Sequence, residues 1–324
     1  MKAIVCSQLG GPELLELLEL PSPPLKPAEV RIAVASAGVN FPDILQIAGK
    51  YQMKLAPPFT PGAEVAGTVL EVGSKVSHLR VGDAVTAMIP FGGYASECVA
   101  NAAGVLGLPA AFDLKQAGGF PLVYGTSYHA LVQRGQLKAG ETLLVLGAAG
   151  GVGLAAVQIG KLLGARVIAA ASSEEKRALC LANGADAVID YSSASLKDAV
   201  KALTKGNGAD VIYDPVGGEL GEECLSCVAW NGRYLVVGFA SGPIPNLAAN
   251  RLLLKGAAAV GVFWGAFTMR EPAVNLANFQ QLFAWVQDGK LKPHVSRAYA
   301  LADAATALQD MQARKVTGKI VLQP

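Results

Sequence analysis

The sequence predicts an α/β protein built on a doubly wound parallel sheet, with a mostly β region ahead of it. Three observations carry this. Residues 142–160, TLLVLGAAGGVGLAAVQIG, run from an apolar strand through a glycine-rich turn into a helix. From residue 142 onward, strand-like and helix-like stretches alternate, which makes parallel βαβ units with right-handed crossovers. Residues 1–120 instead hold short strands, among them EVRIAVASAGVN, EVAGTVLEVG, GDAVTAMIP and YASECVA, punctuated by Pro and Gly.

The turn glycines are Gly147, Gly150, Gly151 and Gly153. Such a turn lets backbone N–H groups, with Gly150, Gly151 and Val152 foremost, approach a pyrophosphate at a helix N-terminus, where the helix dipole favours negative charge. The stretch is uncharged and about as long as a membrane span. Against a span, four glycines sit at its centre, and Val152, Ala155, Ala156, Ile159 and Leu163 follow the spacing of one buried helix face. A strand–turn–helix without a ligand stays open on the motif alone. Further strands are expected at 166–171, 187–190, 210–214, 233–238 and 257–262, with helices around 152–163, 174–183, 195–204 and 219–229. LLVL and YLVVG are apolar on both faces, as a sheet covered by helices on each side requires. Six such strands make a dinucleotide-binding fold. A helix near 120–135 precedes this region. Beyond about 265 come helices near 272–288 and 302–313 and the strand GKIVL, expected to complete the first domain.

Composition narrows the function classes. A chain of 324 residues, 52% hydrophobic and 16% charged, has material for two cored domains. A net charge of +2 gives no basis for a nucleic-acid or membrane partner. MKAIVCSQLGGPELLEL has no continuous apolar signal core and reads as the start of a soluble, cytoplasmic protein. Five cysteines in so long a chain fit a reducing compartment. Cys224 and Cys227 have C-x-x-C spacing, but in GEECLSCVAW they read as two partly buried helix positions rather than a redox or metal pair.

AGVNFPDILQIAGKY (37–51), PFTPGAEVAGTVLEVG (58–73), VGDAV (81–85), AAGGVG (148–153) and TGKIVL (317–322) resemble, in order, the medium-chain dehydrogenase/reductases. The resemblance is strongest to the zinc-free, zeta-crystallin-like NADPH:quinone oxidoreductases. It implies a discontinuous GroES-like catalytic domain, 1–121 with 266–324, around a Rossmann cofactor domain, 122–265, and a cleft between them. Zinc alcohol dehydrogenases of this superfamily carry Cys in the segment matching GVN and His in a G-H-E segment. Here Asn40 and Ala63 stand in those places, Glu64 remains, and His78, His129 and His294 are scattered. A catalytic zinc needs about three protein ligands, so no metal is expected.

An NAD enzyme usually carries an acid about 20 residues past the glycine turn to bind the ribose hydroxyls. The second strand instead ends in Ala170-Ala171-Ser172-Ser173, and Glu174 and Glu175 suit the first turn of a helix. Ser172, Ser173 and Lys176 can hold a 2′-phosphate, which makes NADPH the expected cofactor. The resemblance adds Lys176 and Tyr191 as phosphate contacts, against an ordinary solvated Lys and a loop Tyr. It also adds Thr126, otherwise a helix N-cap, and Arg314, otherwise an exposed helical residue. Ligands lie beyond the carboxyl ends of parallel strands. That adds Gly238, Phe239, Ala240, Ser241, Val262, Phe263 and Trp264 to the cofactor list.

Without a metal, an acceptor must be polarised by hydrogen bonds. The segment 37–51 supplies Asn40, Asp43 and Tyr51. Tyr51 can donate to a developing oxyanion or simply wall the pocket; Asp43 can orient a neighbour or the nicotinamide ribose, or serve as a turn residue after Pro42. Phe41, Phe239, Phe263 and Trp264 would form a flat apolar slot for aromatic rings. The expected activity is NADPH-dependent reduction of a quinone or related enone. The alternatives are an enoyl-thioester or alkenal reductase on the same fold, and a non-enzymatic NADPH-binding structural or RNA-binding protein. The family also implies a homodimer formed through the edge strand GAAAVGVFW, although packing within one chain would explain the same residues.

Overall fold

A computed structural model describes residues 1–193 and 195–324. The chain divides into two compact units, Met1–Leu122 with Val286–Pro324, and Val123–Trp285.

In the first unit β1 (Lys2–Cys6) pairs antiparallel with β2 (Leu15–Glu19). The long strand β3 (Glu29–Gly38) alternates buried and half-buried residues, so Val30, Ile32 and Val34 face one core. Its register against β4 (Glu64–Val72) slips twice, which bends both strands. Between them lies α1 (Phe41–Ile47), started by Pro42 in the first turn, where a missing N–H costs nothing. Strands β5 (Ala84–Met88), β6 (Glu97–Asn101) and β7 (Val105–Gly107) follow, then the short helix α2 (Leu114–Ala117). Helix α3 (Pro121–His129) begins at the end of this unit and runs into one π turn, Ala130–Arg134.

The second unit alternates strand and helix. In order come β8 (Thr142–Val145), α4 (Gly151–Leu162), β9 (Arg166–Ala170), α5 (Glu174–Ala182), β10 (Ala187–Ile189), α6 (Leu196–Leu203), β11 (Ala209–Asp214) and α7 (Gly218–Cys224). Then come β12 (Val228–Val236), α8 (Ala249–Lys255), β13 (Ala258–Gly261), α9 (Trp264–Arg270) and α10 (Pro272–Gln287). The described strands form one parallel sheet, β10-β9-β8-β11-β12-β13. The order reverses beside β8, and the carboxyl ends at that point are where a doubly wound sheet takes its ligand. Leu143, Leu144 and Val145 of β8 are fully buried, as its apolar run predicts. Back in the first unit, β14 (Val295–Ala300), α11 (Ala304–Gln312) and β15 (Lys319–Gln323) complete the sheet β14-β15-β3-β4-β5-β7, with β6 on β3. Ile320, Leu322 and Leu308 thereby join the core of Ile32, Val65 and Val85.

Three expectations need correction. GEECLSCVAW is not one helix: α7 stops at Cys224, and Val228 already pairs with Ala209 of β11. Between Val228 and Arg233 the strand bulges at Asn231, whose φ is +58°, and Gly232, so the Asn-Gly dipeptide that stands between the expected helix and the expected strand falls inside one continuous strand. Cys227 is therefore outside any helix, and both cysteines are fully buried. Helices α8 and α9 were not foreseen, because the Leu-Leu-Leu run of α8 has no polar alternation and none of its residues is buried. Thr126 lies in the second turn of α3 and is no N-cap.

Candidate active site

In the second unit the glycine turn closes as its residues require. Gly147 has φ +54°, Gly150 N–H donates to Gly147 O at 2.9 Å, and Gly150 caps α4 in an extended conformation. At Gly153 a Cβ would lie 2.4 Å from Gly147 O and 2.8 Å from Ala148 Cα, so only glycine lets α4 rest this close on the turn. The first N–H groups of α4, on Gly151 and Val152, thus point out of a helix end that has no carbonyls of its own for them.

One strand along, Ala171 is buried, Ser172 is exposed, and Ser173 caps α5, its hydroxyl accepting from Lys176 N at 3.3 Å. Lys176 is half-buried on the first turn of α5. No carboxylate ends β9. Asp190, at the end of neighbouring β10, is held by Arg177 at 2.8 Å and by Ser192, and its pKa is lowered, foremost by the Ser192 hydrogen bonds. Ser192 also donates to Ser172 O at 3.3 Å, lacing the two strand ends together, and Tyr191 packs half-buried on the core between them. Ser172, Ser173, Lys176 and Tyr191 therefore stand just past the ends of β9 and β10 and on the first turn of α5. The set brings hydroxyls and a cation, with Glu174 and Glu175 exposed on the same first turn of α5.

The loops that follow β11 and β12 are braced by a residue that sequence reasoning missed. Asp214 closes β11, is 1% exposed, and accepts from Val216 N at 2.7 Å, Gly217 N at 2.9 Å and the Tyr234 hydroxyl. The loop it shapes then takes Ala240 N and Ser241 N onto Pro215 O and Val216 O. Ser241 spends its hydroxyl on Val216 O at 2.8 Å, Gly238 is half-buried, and Phe239 is exposed. An acid in Asp-Pro-Val-Gly-Gly was the available signal. Beyond β13, Val262 is half-buried and Phe263 is 61% exposed. Trp264 is instead turned inward as the first residue of α9. It packs on α3, where Gly125 has no room for a Cβ, and donates from Nε1 to Asn275 Oδ1 at 3.1 Å. Its ring serves that core rather than an open slot. Thr126 is half-buried on α3.

In the first unit, five buried polar side chains meet. Asn40 Nδ2 donates to Glu64 Oε1 at 2.9 Å and to Gly38 O at 3.3 Å, while its Oδ1 accepts from Lys319. Lys319 Nζ pairs with Glu64 Oε1 at 2.8 Å and donates to Val39 O at 2.8 Å. Glu64 Oε2 accepts from Leu122 N at 2.8 Å. Asp43 Oδ2 accepts from Asn40 N at 2.8 Å, the carboxylate half of an N-terminal capping box, and from the Tyr94 hydroxyl at 2.6 Å. Lys319 and Tyr94 were not foreseen; Lys319 sits in the TGKIVL segment that carried the resemblance. Burial dominates the electrostatics. It pushes Asp43 up to about 6 against the opposing hydrogen bonds of Tyr94 and Asn40 and the Lys319 charge, with Glu64 adding repulsion. Burial, then the Asp43 charge, raise Tyr51 and Tyr94 above the usual phenol range, so both keep their protons at neutral pH. Tyr51 is half-buried after the α1 turn, its N–H on Leu45 O at 3.1 Å. Arg314 lies just past α11, exposed, with φ +55°.

Among the described residues no three His, Cys, Asp or Glu side chains are placed to hold a metal ion. His78 bonds Ala102 O, His129 stacks on Phe267, and all five cysteines are buried and unbridged. No described helix is long and apolar enough to cross a membrane.

Residues 26–133 match the alcohol dehydrogenase GroES-like domain, and residues 151–280 match the zinc-binding dehydrogenase family. Over 324 residues the chain is 42% identical to the quinone oxidoreductase-like protein 2 homolog of Nematostella vectensis, covering 99% of this chain and 88% of that protein. It belongs to the quinone oxidoreductase family of the medium-chain dehydrogenase/reductases. Quinone oxidoreductase of Pseudomonas aeruginosa is 36% identical over 326 residues, 100% of this chain and 99% of its own. The crystal structure of Escherichia coli quinone oxidoreductase complexed with NADPH superimposes with a TM-score of 0.92 at 30% identity over the whole of both chains. In this quinone oxidoreductase family member, Asn40 and Glu64 lie in the two segments where zinc dehydrogenases would carry Cys and His, and Lys319 of β15 joins them.

Proposed function

We propose that this quinone oxidoreductase family member reduces quinones or related conjugated carbonyls with NADPH, without a metal. The observation that carries the cofactor half is the end of β9: two serines and Lys176 stand where an NAD site would carry an acid, and Asp190, at the end of the neighbouring strand, is paired with Arg177. The bound cofactor would supply the hydride. The chain's part is to bind its phosphates at the α4 N-terminus and at Ser172, Ser173, Lys176 and Tyr191, with Thr126, residues 238–241, Val262, Phe263 and Arg314 as further contacts. On this reading Asn40, Asp43 and Tyr51 would form the acceptor end. Tyr51, protonated at neutral pH, can donate to the oxygen that gains charge as hydride arrives. Two electrons and one proton enter with the hydride; a further proton from water completes a hydroquinone, so no buried acid is required. NADPH oxidation measured against a panel of quinones, enones and enoyl-CoA esters tests this. Turnover of quinones or enones is expected; exclusive turnover of enoyl thioesters would favour the thioester reductase, and tight NADPH binding with no turnover of any would sink both.

The partner we propose is a second copy. Strand β13 is one of the two edges of the cofactor sheet, Ala258, Ala259 and Gly261 are exposed on it, and Leu253 and Leu254 of the preceding α8 are 80% and 74% exposed. An apolar open edge of this kind supports strand-to-strand pairing of two subunits.

A further inference from the structure

Lys319 is among the most buried charged groups in the first unit, with a side chain 6% exposed beside a Glu64 side chain at 0%. An ammonium has three N–H donors, and here all three have acceptors: Val39 O, Asn40 Oδ1 and Glu64 Oε1. A lysine spent in this way has no donor left for a substrate. What it can do is orient groups that retain some freedom. The Asn40 amide has two flipped orientations that packing alone distinguishes poorly. A cation at Oδ1 and a carboxylate at Nδ2 stabilise only one of them. Asn40 in turn anchors α1: its backbone N–H holds Asp43 Oδ2, which Tyr94 holds from the other side. The segment 40–51 therefore leans at its first residue on a charge brought by β15, 279 residues away in sequence.

We propose that Lys319 is a positioning residue for the reduction, the internal cation that locks Asn40 and, through it, the Asp43–Tyr51 segment. This rests on the reading of Asn40, Asp43 and Tyr51 as the acceptor end. Glu64 is the counter-charge that makes the buried lysine tolerable, and Leu122 N fixes the other oxygen of Glu64 so that the pair has one geometry.

Lys319→Met alone leaves Glu64 buried without a cation and can fail to fold for that reason. The decisive variant is Lys319→Met/Glu64→Gln, which removes both charges at nearly constant volume. With Tm and the NADPH Kd near those of the wild type, kcat on the best quinone should fall by about tenfold to hundredfold, the scale of a misplaced reacting group. Hydrogen exchange of the 40–51 amides should quicken while β3 and β4 stay protected. Unchanged kcat, within about twofold, with unchanged exchange overturns the proposal. So does a loss of kcat that tracks a fallen Tm with faster exchange throughout the first unit, which marks a purely structural pair. A folded wild type that turns over no quinone, enone or enoyl thioester defeats the reductase reading instead. The exchange of 40–51 then decides the positioning role by itself, and equal protection in both proteins overturns it.

Discussion

Replacing Gly153 by Ala adds one methyl group at the tightest point of the cofactor cradle. That carbon would sit 2.4 Å from Gly147 O, 2.8 Å from Ala148 Cα and 3.0 Å from Ala148 C, all backbone atoms that cannot swing aside. Van der Waals contact requires a retreat of about 0.6–1 Å. Either α4 lifts off the turn or Gly147 leaves its φ of +54°. Both move the N–H groups that point out of the helix end. Overpacking at a rigid site costs about 1–3 kcal/mol, and NADPH affinity should drop by at least about tenfold, since each charge-assisted bond to a phosphate is worth more than a neutral one. Isothermal titration with NADPH and thermal melting check both numbers. Gly107→Ala is the control: nothing lies within 4 Å of its Cβ position, and it should leave binding and Tm alone. A Gly153→Ala protein that binds NADPH within about twofold of wild type and melts with it would refute the close-approach argument and the assignment of this turn to the pyrophosphate.

Lys176→Ala should weaken NADPH by about 2 kcal/mol, roughly thirtyfold, and NADH hardly at all; equal losses in paired titrations would remove Lys176 from the 2′-phosphate. Asp43 has a folded pKa of about 6, above its ordinary value of 3.8. Its ionised form is therefore disfavoured by the fold, and the penalty is absent below pH 3.8, grows up to about 6 and is full above it. At about 1.4 kcal/mol per unit it reaches roughly 3 kcal/mol. Asp43→Asn, which does not titrate, should lose ground to wild type as pH falls from 7.5 to 5; a Tm difference independent of pH would contradict the burial argument. Val260→Lys puts a charge on the open edge of β13 and should yield monomers in sedimentation velocity, where a wild-type monomer or a dimeric variant would reject the edge as the interface.

Local physics made the cofactor fold readable. The glycine turn, the apolar strand before it and the 3.6-residue spacing after it each depend on neighbours a few residues apart, and the βαβ alternation then admits one handedness. The same locality explains the errors. The Asn231-Gly232 bulge reads as a break between a helix and a strand, yet it sits inside β12, and α8 lacks the amphipathic period by which helices are found. Trp264 reads as an aromatic at a strand end, but the missing Cβ of Gly125 draws it into a helical core.

At the acceptor end, the segment 37–51 and the Gly62-Ala63-Glu64 stretch stand out as sequence, because Asn40 and Ala63 interrupt the pattern of zinc ligands. That Asn40, Asp43 and Glu64 touch one network, and that Lys319 and Tyr94 complete it, is decided only in three dimensions. A buried charge is stable only with its partner, and partners 279 residues apart leave no spacing to read. The chain by itself determined a Rossmann-type sheet with a glycine cradle and a strand end without an acid. The tertiary structure alone decided which buried groups share charge, because sheet pairing, not sequence distance, brings β15 beside β3.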